Sequence, residues 1–242
     1  MKVLGIIPAR EGSKGLPDKN TKIINRIPLI GWTIHQALQS KIDKVIVSTD
    51  GVRIASVARE CGGCCAYRGA EVLIRPKELA QDDSPVSETI LHAIENYPGY
   101  DAVALLEPTS PLRKPNDIDN AIKSLKDADS IVSVGEIHTE HPLIVKQIHP
   151  MSGYVRPYQY DGMLIGKPDV YQRQQLDKAY FPYGVIYIAR VDYYLEHKTF
   201  YSQKALPYFI DRWQNYEIDD DIDFIIVENL IKWAINNNFM EG

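Results

Sequence analysis

KVLGIIP, residues 2–8, is a short apolar run that ends at a proline. A run of this length predicts a strand buried on both faces, which is typical of a parallel sheet covered by helices. Four later runs have the same character and predict further strands of that sheet: KVIVS at 44–48, AVALL at 102–106, SIVSV at 130–134 and GVIYIA at 184–189.

Helical patterns lie between the earlier strand-like runs. Apolar residues fall on one helical face in three segments: 30–38, 86–94 and 118–125. This alternation indicates βαβ units, and therefore an α/β fold with a doubly wound, mostly parallel sheet. Such sheets bind ligands beyond the carboxyl ends of their strands, so the loops that follow the strands are the candidate functional segments. A last helical pattern, 220–239, closes the fold.

The alternation stops after about Val134. Residues 135–180 are rich in Tyr, Gln, Pro and His and lack a clear period, and tyrosine suits interfaces and ligand pockets. We therefore predict a catalytic α/β domain, residues 1–134 and 181–242, and an inserted segment, residues 135–180, that builds a subunit interface and part of a site. The alternative is a long ordered loop packed on its own domain.

Composition excludes several classes of protein. The net charge of −5 disfavours a nucleic-acid binder held by a general positive field. No apolar run approaches the roughly 20 residues of a membrane span. The three cysteines lie together in CGGCC at 61–65, which predicts small apolar packing in a reducing compartment rather than a disulfide framework. We therefore expect a cytoplasmic protein without nucleic-acid or membrane partners.

The loop after the first predicted strand, AREGSKGLPDKN at residues 9–20, combines two glycines with three positive charges. Glycine permits close backbone approach, and consecutive backbone N–H groups can form an anion-binding nest. With Arg10, Lys14 and Lys19, this composition suits a nucleoside triphosphate, although the loop is neither a Walker A motif nor a Gly-x-Gly-x-x-Gly fingerprint. A structural turn with solvated lysines is the alternative.

The segment IIPAREGSKGLPDKN closely resembles the amino-terminal signature of the acylneuraminate cytidylyltransferase family. The same order of further motifs follows along nearly the whole chain: VSTDG at 47–51, RPKELAQD at 75–82, LLEPTSPLR at 105–113, RQQL at 173–176, GVIYI at 184–188 and EIDDDIDF at 217–224. The resemblance implies a Rossmann-like nucleotidyltransferase fold with an inserted dimerisation subdomain, and a homodimer. It also implies transfer of CMP from CTP to a nine-carbon 2-keto-3-deoxy acidic sugar of sialic, legionaminic or pseudaminic type, with release of pyrophosphate.

The resemblance also implies residue roles. Arg10, Lys19 and Asp219 are expected to be catalytic, with Lys19 placed to offset charge that develops at the α-phosphate. The implied nucleotide-binding residues are Ala9, Arg10, Ser13, Lys19, Asn20, Arg75 and Ser84. The implied sugar-binding residues are Glu107, Arg173 and Tyr187.

Two positions depart from the family pattern: Glu107 stands where relatives often carry Gln, and Tyr183 stands where they often carry Asn. An acid at 107 would repel the sugar carboxylate unless it faces hydroxyl or amide groups, so the identity of the sugar stays open. Asp50 is expected either near the nucleotide or as a cap of the next helix. Arg113 is expected either as a ligand or as a salt-bridged structural residue.

Glu217 and Asp219 lie two residues apart, so in an extended segment both carboxylates can face one cation. Mg²⁺ takes hard oxygen ligands and commonly bridges one or two carboxylates to phosphates, which predicts a Mg²⁺ cofactor held by Asp219 and Glu217. The family pattern there is often Asp-Ile-Asp, which makes Asp219 the safer ligand. Asp220, Asp221 and Asp223 are expected at the start of the following helix. An acidic helix start without metal is the alternative.

Three other functions stay open from the sequence. A CMP-Kdo-type synthetase is the nearest, although that family carries Gln-Gly-Asp-Glu-Pro where this chain has LEPTSPLR. A sugar-1-phosphate nucleotidyltransferase is a more distant enzymatic alternative. From another class, a non-catalytic nucleotide-binding regulatory protein would keep the fold without turnover.

Overall fold

The structure is a computed structural model, which describes residues 1–13, 15–62, 69–126, 128–160, 163–165 and 176–241. Lys14, Cys64, Cys65 and Arg173, which the sequence analysis singled out, lie outside the described residues. The chain divides into two compact units. The first comprises Met1–Ser133 and Tyr183–Gly242, and the second comprises Val134–Pro182.

The strands are numbered in chain order. They are β1 Val3–Pro8, β2 Ile23–Ile24, β3 Ile27–Pro28, β4 Lys44–Thr49, β5 Glu71–Ile74, β6 Ala102–Leu105, β7 Ser130–Glu136, β8 Lys146–Ile148, β9 Val155–Tyr160, β10 Met163–Ile165, β11 Tyr180–Arg190 and β12 Ala205–Phe209. The α-helices are α1 Leu29–Gln39, α2 Val52–Gly62, α3 Val86–Asn96, α4 Asp117–Ser124, α5 Val191–His197 and α6 Asp221–Asn236.

A seven-stranded sheet forms the centre of the first unit, in the order β12-β7-β11-β6-β1-β4-β5. Strand β1 pairs in parallel with β4 and β6, and β4 pairs in parallel with β5. Strand β11 runs antiparallel to β6. The sheet is thus mixed and mostly parallel, which confirms the α/β fold that the alternation of strand-like and helical patterns predicts.

The burial of β1 explains why its sequence is apolar without alternation. Leu4, Ile6 and Ile7 are all fully buried, as expected of a central strand covered on both faces. Helix α1 then contributes to two hydrophobic clusters. Ile30 packs in the cluster that contains β1, whereas Trp32 packs in the cluster that contains the apolar face of α6. Through these clusters α1 brings the loop after β1 and the segment before α6 to one place.

Helix α6 begins where the acidic run predicts. Asp220 is its N-cap, and the Asp220 carboxylate accepts hydrogen bonds from the backbone N–H groups of Ile222, at 2.8 Å, and Asp223, at 3.0 Å. The Asp223 carboxylate in turn accepts from the backbone N–H of Asp220 at 3.2 Å, which completes a capping box. This confirms the prediction that these acids start the helix.

The second unit contains a small antiparallel sheet in the order β10-β9-β8. Its strands are three to six residues long, which is too short for a clear periodic pattern in the sequence. None of the helices in the described part of the chain has both the length and the apolar composition needed to cross a membrane.

Candidate active site

A cavity of about 460 Å³ opens in the first unit at the carboxyl edge of β1 and β6. Its walls come from the loop after β1, the segment between β5 and α3, the loop after β6, and Asp219. Because β1 and β6 are parallel neighbours, the loops that follow them open at the same edge of the sheet. The predicted site residues that line this cavity are Arg10, Ser13, Lys19, Asn20, Arg75, Ser84, Glu107 and Asp219.

Lys19 joins the loop after β1 to the segment before α6. Its Nζ donates a hydrogen bond to the carbonyl of Ile218 at 2.7 Å and lies 3.3 Å from Asp219 Oδ1. The Lys19 side chain is 13% exposed, whereas that of Asp219 is 85% exposed. A side chain at Gly15 would collide with the backbone carbonyl of Asp219, so glycine is required for this close approach. An ammonium group and an accessible carboxylate therefore lie side by side in the cavity wall.

Backbone and side-chain hydrogen bonds hold the rest of the loop after β1. Ala9 is buried and its N–H donates to the carbonyl of Ser48 at 2.9 Å, which ties the loop to β4. Asn20 donates from Nδ2 to the carbonyl of Arg10 at 3.1 Å. Asp50 accepts from the backbone N–H of Glu11 at 3.2 Å, so its carboxylate orders this loop. These contacts fix the loop's path and leave the Arg10 side chain at the cavity.

The Arg10 guanidinium forms an ion pair with Asp82, and both residues line the cavity. Asp82 belongs to the segment between β5 and α3. The RPKELAQD motif alone did not predict this role for Asp82, because a partner 72 positions away from Arg10 leaves no local pattern. The pair shows that the Arg10 guanidinium can hold an anionic oxygen at this wall.

Arg75 and Ser84 occupy the same wall. Arg75 is buried, its Nη1 donates to Thr89 Oγ1 at 2.8 Å, and burial lowers the pKa of its guanidinium. Its Nε is buried and has no hydrogen-bond partner among the described residues. Ser84 donates from Oγ to the carbonyl of Glu78 at 2.7 Å. An unsatisfied buried donor costs free energy, so a ligand acceptor beside Arg75 would recover that cost.

Arg113 has a structural role. It is fully buried, and its guanidinium donates to the carbonyls of Glu107 at 2.9 Å, Gly184 at 3.1 Å and Val185 at 2.5 Å. Burial lowers its pKa to about 10. Its Nη1 also donates to Thr33 Oγ1 at 3.0 Å and Gln36 Oε1 at 3.2 Å. These bonds connect the loop after β6 to β11 and α1, so of the two expectations for Arg113 the structure supports a structural role, with neutral hydrogen-bond acceptors as the partners.

Glu107 and Glu217 form a pair of acids beside Gly184. Burial, reinforced by the nearby Glu217 carboxylate, raises the pKa of Glu107 to about 7. Glu217 Oε1 accepts hydrogen bonds from Ser110 Oγ at 3.0 Å and from the backbone N–H of Gly184 at 2.5 Å. Of the two acids predicted to face one cation, Asp219 lines the cavity, whereas Glu217 is engaged by these two donors.

Tyr187 packs in the core beside the cavity wall. It lies opposite Leu105 in the pairing of β11 with β6, and its ring centroid is 5.5 Å from that of Phe200. Burial raises the pKa of its hydroxyl. Among the described residues it is not part of the cavity lining, and Arg173, the third predicted sugar-binding residue, lies outside them.

The fold of this chain is shared with two solved nucleotidyltransferase structures. It superposes on a CMP:2-keto-3-deoxy-manno-octonic acid synthetase in complex with CTP, with a TM-score of 0.69, 17% identity, and coverage of 97% of this chain and 100% of that one. It superposes on 4-diphosphocytidyl-2C-methyl-D-erythritol synthase from Anaerococcus prevotii with a TM-score of 0.61, 12% identity, and coverage of 96% of both chains. The chain therefore has the Rossmann-like nucleotidyltransferase fold.

The sequence places the chain within one family of that class. The cytidylyltransferase family profile matches residues 4–241, and the chain belongs to this family, whose members generally use a divalent metal ion. It is 37% identical over 227 residues to an N-acylneuraminate cytidylyltransferase of Escherichia coli O18:K1:H7, which covers 92% of this chain and 50% of that protein. It is 34% identical over 247 residues to a CMP-N,N'-diacetyllegionaminic acid synthase of Legionella pneumophila, which covers 100% of this chain and 97% of that protein. The chain thus spans about half the length of the first relative and nearly all of the second.

The raised pKa of Glu107 predicts a pH-dependent contribution to stability. The group ionises near 4.5 in the unfolded chain and near 7 in the folded one, so its contribution is complete below about 4.5 and is lost as the pH rises to about 7. The free energy of unfolding of the wild type, measured in urea with EDTA present, should therefore fall relative to that of Glu107→Gln across this interval. Parallel pH curves for the two proteins would contradict the assignment.

Proposed function

We propose that the protein is a Mg²⁺-dependent cytidylyltransferase that transfers CMP from CTP to a nine-carbon 2-keto-3-deoxy acidic sugar of the sialic, legionaminic or pseudaminic type. The observation that carries the proposal is the contact of Lys19 with residues 218 and 219 at a cavity of about 460 Å³, a volume typical of small-ligand sites. Family membership and the names of the two relatives support this class of reaction over a regulatory protein.

Arg10 and Lys19 would bind the triphosphate. A phosphate oxygen would replace the Asp82 carboxylate at Arg10, since both are anionic acceptors for a guanidinium. Lys19 Nζ is held by the Ile218 carbonyl, so its charge is fixed before the substrate arrives. Such a preorganised donor stabilises charge that develops in the transition state.

The reaction would join the anomeric oxygen of the sugar to the α-phosphorus of CTP. The bond from that phosphorus to the bridging oxygen breaks, pyrophosphate leaves with the electron pair, and the hydroxyl proton passes to solvent. The task of the protein is to place the two substrates in line and to offset the charge on the α-phosphate. Arg10 and Lys19, in the loop after β1, supply the positive charge that offsets it.

Asp219 would hold the metal ion. Mg²⁺ needs one or two carboxylates and completes its shell with phosphate oxygens and water, and Asp219 provides an accessible carboxylate in the cavity wall. When bound, the ion neutralises phosphate charge and orients the phosphates for attack. Direct ligation by Glu217 would require it to give up its bonds from Ser110 and Gly184, so we propose Asp219 as the principal ligand.

Arg75, Ser84 and Thr89 would recognise the base and ribose. The Nε of Arg75 is a buried donor without a partner in the described structure, and the pyrimidine edge of cytosine offers acceptors to such a group. Ser84 and Thr89 line the same wall. Ser13 and Asn20 would complete the nucleotide site from the loop after β1.

The second unit would form the dimer interface. Ile148 and Val155 face each other across the pairing of β8 and β9, and they are 63% and 68% exposed. The neighbouring Tyr154 is 76% exposed. An exposed apolar group of this kind marks an interaction surface, and a second copy of the chain is the partner that family resemblance implies. We place the homodimer in the cytoplasm.

Pyrophosphate release tests the proposed function directly. The purified protein should release pyrophosphate from CTP only when Mg²⁺ and a nine-carbon acidic sugar are both present. The panel should contain N-acetylneuraminic, N,N'-diacetyllegionaminic and pseudaminic acids, with 2-keto-3-deoxy-manno-octonic acid as the comparison. Activity with the eight-carbon acid alone would favour a CMP-Kdo-type synthetase, and CTP binding without turnover on any sugar would favour a regulatory protein.

Lys19→Ala should lower kcat by roughly 100-fold or more, the usual cost of removing one preorganised donor from a developing charge. Lys22→Ala is the matched control, because Lys22 pairs with Asp221 at 3.2 Å and neither residue lines the cavity among the described residues. Steady-state kinetics and circular dichroism on both variants test this. Full activity of Lys19→Ala would contradict the assigned role.

Asp219→Asn should raise the Mg²⁺ concentration needed for half-maximal activity by about tenfold or more, because metal affinity depends on the ligand's negative charge. Asp221→Asn serves as the control, since this exposed acid lies two residues away and pairs with Lys22. Titration of activity with Mg²⁺ measures both. An unchanged midpoint in Asp219→Asn would exclude Asp219 as the principal ligand.

The double variant Ile148→Asp/Val155→Asp should convert the dimer to monomers, because it would bury two neighbouring negative charges in the proposed interface. Sedimentation equilibrium at micromolar concentration measures the mass of the wild type and the variant. A monomeric wild type would contradict the dimer, and a dimeric variant would place the interface elsewhere.

A further inference from the structure

Gly184, in β11, lies between groups that approach it from two other segments. Its backbone N–H donates to Glu217 Oε1 at 2.5 Å, and its carbonyl accepts from Arg113 Nη2 at 3.1 Å. Both of its main-chain hydrogen-bonding groups are therefore used by side chains of the site region. This fixes the backbone at 184 against the loop after β6 and the segment before α6.

The space that a side chain would fill at 184 is occupied by Glu107. A Cβ atom there would collide with Glu107 Oε2, would lie 2.9 Å from Glu107 Cδ, and would lie 2.8 Å from Ser110 Oγ. The backbone of Gly184 is not in the left-handed region. Glycine is thus needed at this position for space rather than for conformation.

A side chain at 184 would press against two groups, the Glu107 carboxyl and Ser110 Oγ, and Ser110 Oγ is held by its hydrogen bond to Glu217 at 3.0 Å. The Glu107 carbonyl is held by Arg113 Nη2 at 2.9 Å, and Arg113 is itself fixed by its bonds to Gly184 and Val185. The Glu107 carboxyl is the flexible end of that residue, and Glu107 lines the cavity. The absent side chain at 184 therefore determines where this carboxyl lies in the cavity.

We infer that Gly184 is a specificity-determining positioning residue. Because it has no side chain, the Glu107 carboxyl can pack directly against its Cα, and this contact determines how the carboxyl is oriented toward the sugar. The inference rests on the proposed function. Among the described residues Gly184 does not line the cavity, and it acts through Glu107. The proposed nucleotide ligands Arg10, Lys19 and Arg75 are held by other hydrogen-bond partners, so we expect the main effect on the sugar.

Gly184→Ala tests the inference by moving the Glu107 carboxyl with one methyl group. The KM for the preferred sugar should rise by on the order of ten- to a hundredfold, since a displacement of about 1 Å at a positioned group has effects of this size. The Kd for CTP, measured by calorimetry with Mg²⁺, should stay within about twofold, because the displaced group is not a nucleotide ligand. Gly69→Ala is the matched control, because among the residues that the structure describes a Cβ there meets only the carbonyl of Gly62, at 3.8 Å. It should leave both quantities unchanged.

A double-mutant cycle with Glu107→Ala separates positioning from a general structural effect. If Gly184 acts through Glu107, Gly184→Ala should add nothing to the sugar KM once Glu107 is truncated, so the two effects should be strongly non-additive. Additive effects would overturn the inference. An unchanged sugar KM in Gly184→Ala, or an equal rise in the Kd for CTP, would also overturn it.

If Gly184→Ala is unstable, thermal unfolding of the single and double variants still tests the inference. The double variant Gly184→Ala/Glu107→Ala removes the Glu107 carboxyl, the closest group to the new methyl, and leaves the rotatable Ser110 hydroxyl near it, so it should fold even if the single variant does not. Failure of the double variant to fold would overturn the inference. A wild type that binds CTP but is inactive on every sugar would instead contradict the proposed function, and the inference with it.

Discussion

The hydrogen bond from Lys19 to the carbonyl of Ile218, with the Asp219 carboxylate beside it, joins two segments that are about 200 residues apart in the sequence. One segment follows the central strand β1 and the other precedes α6. Helix α1 brings them together because it packs against both β1 and α6. A cation for phosphate and a carboxylate for metal therefore meet at one cavity, and the proposed chemistry depends on that meeting.

The apolar patterns predicted the central sheet better than its periphery. Strand β1 was identified because burial on both faces leaves a continuous apolar run. Helix α2 was expected only as the helix that Asp50 could cap, and its own apolar pattern was not used, although Ile54, Ala58 and Cys61 are buried at helical spacing. Strand β12 was missed because it lies at the sheet edge, where Leu206 and Phe209 are exposed and no alternation between buried and exposed faces is imposed.

The motifs predicted most of the residues that meet at the cavity but not what those residues touch. The pairing of Arg10 with Asp82 and the bond from Arg75 to Thr89 depend on tertiary structure alone. The two-residue spacing of Glu217 and Asp219 predicted that both carboxylates face one cation, yet Glu217 accepts hydrogen bonds from two donors in other segments. The sequence likewise does not show why glycine is needed at 184, because the atoms that fill the space of its side chain belong to a residue 77 positions earlier.

A crystal structure with a non-hydrolysable CTP analogue and Mg²⁺ tests the central claim most directly. The account predicts that the phosphates lie against Arg10 and Lys19, that the Asp82 carboxylate has left Arg10, and that Asp219 ligates the ion. Density for the nucleotide elsewhere on the molecule, with the loop after β1 free of phosphate and the Arg10 to Asp82 ion pair intact, would contradict it.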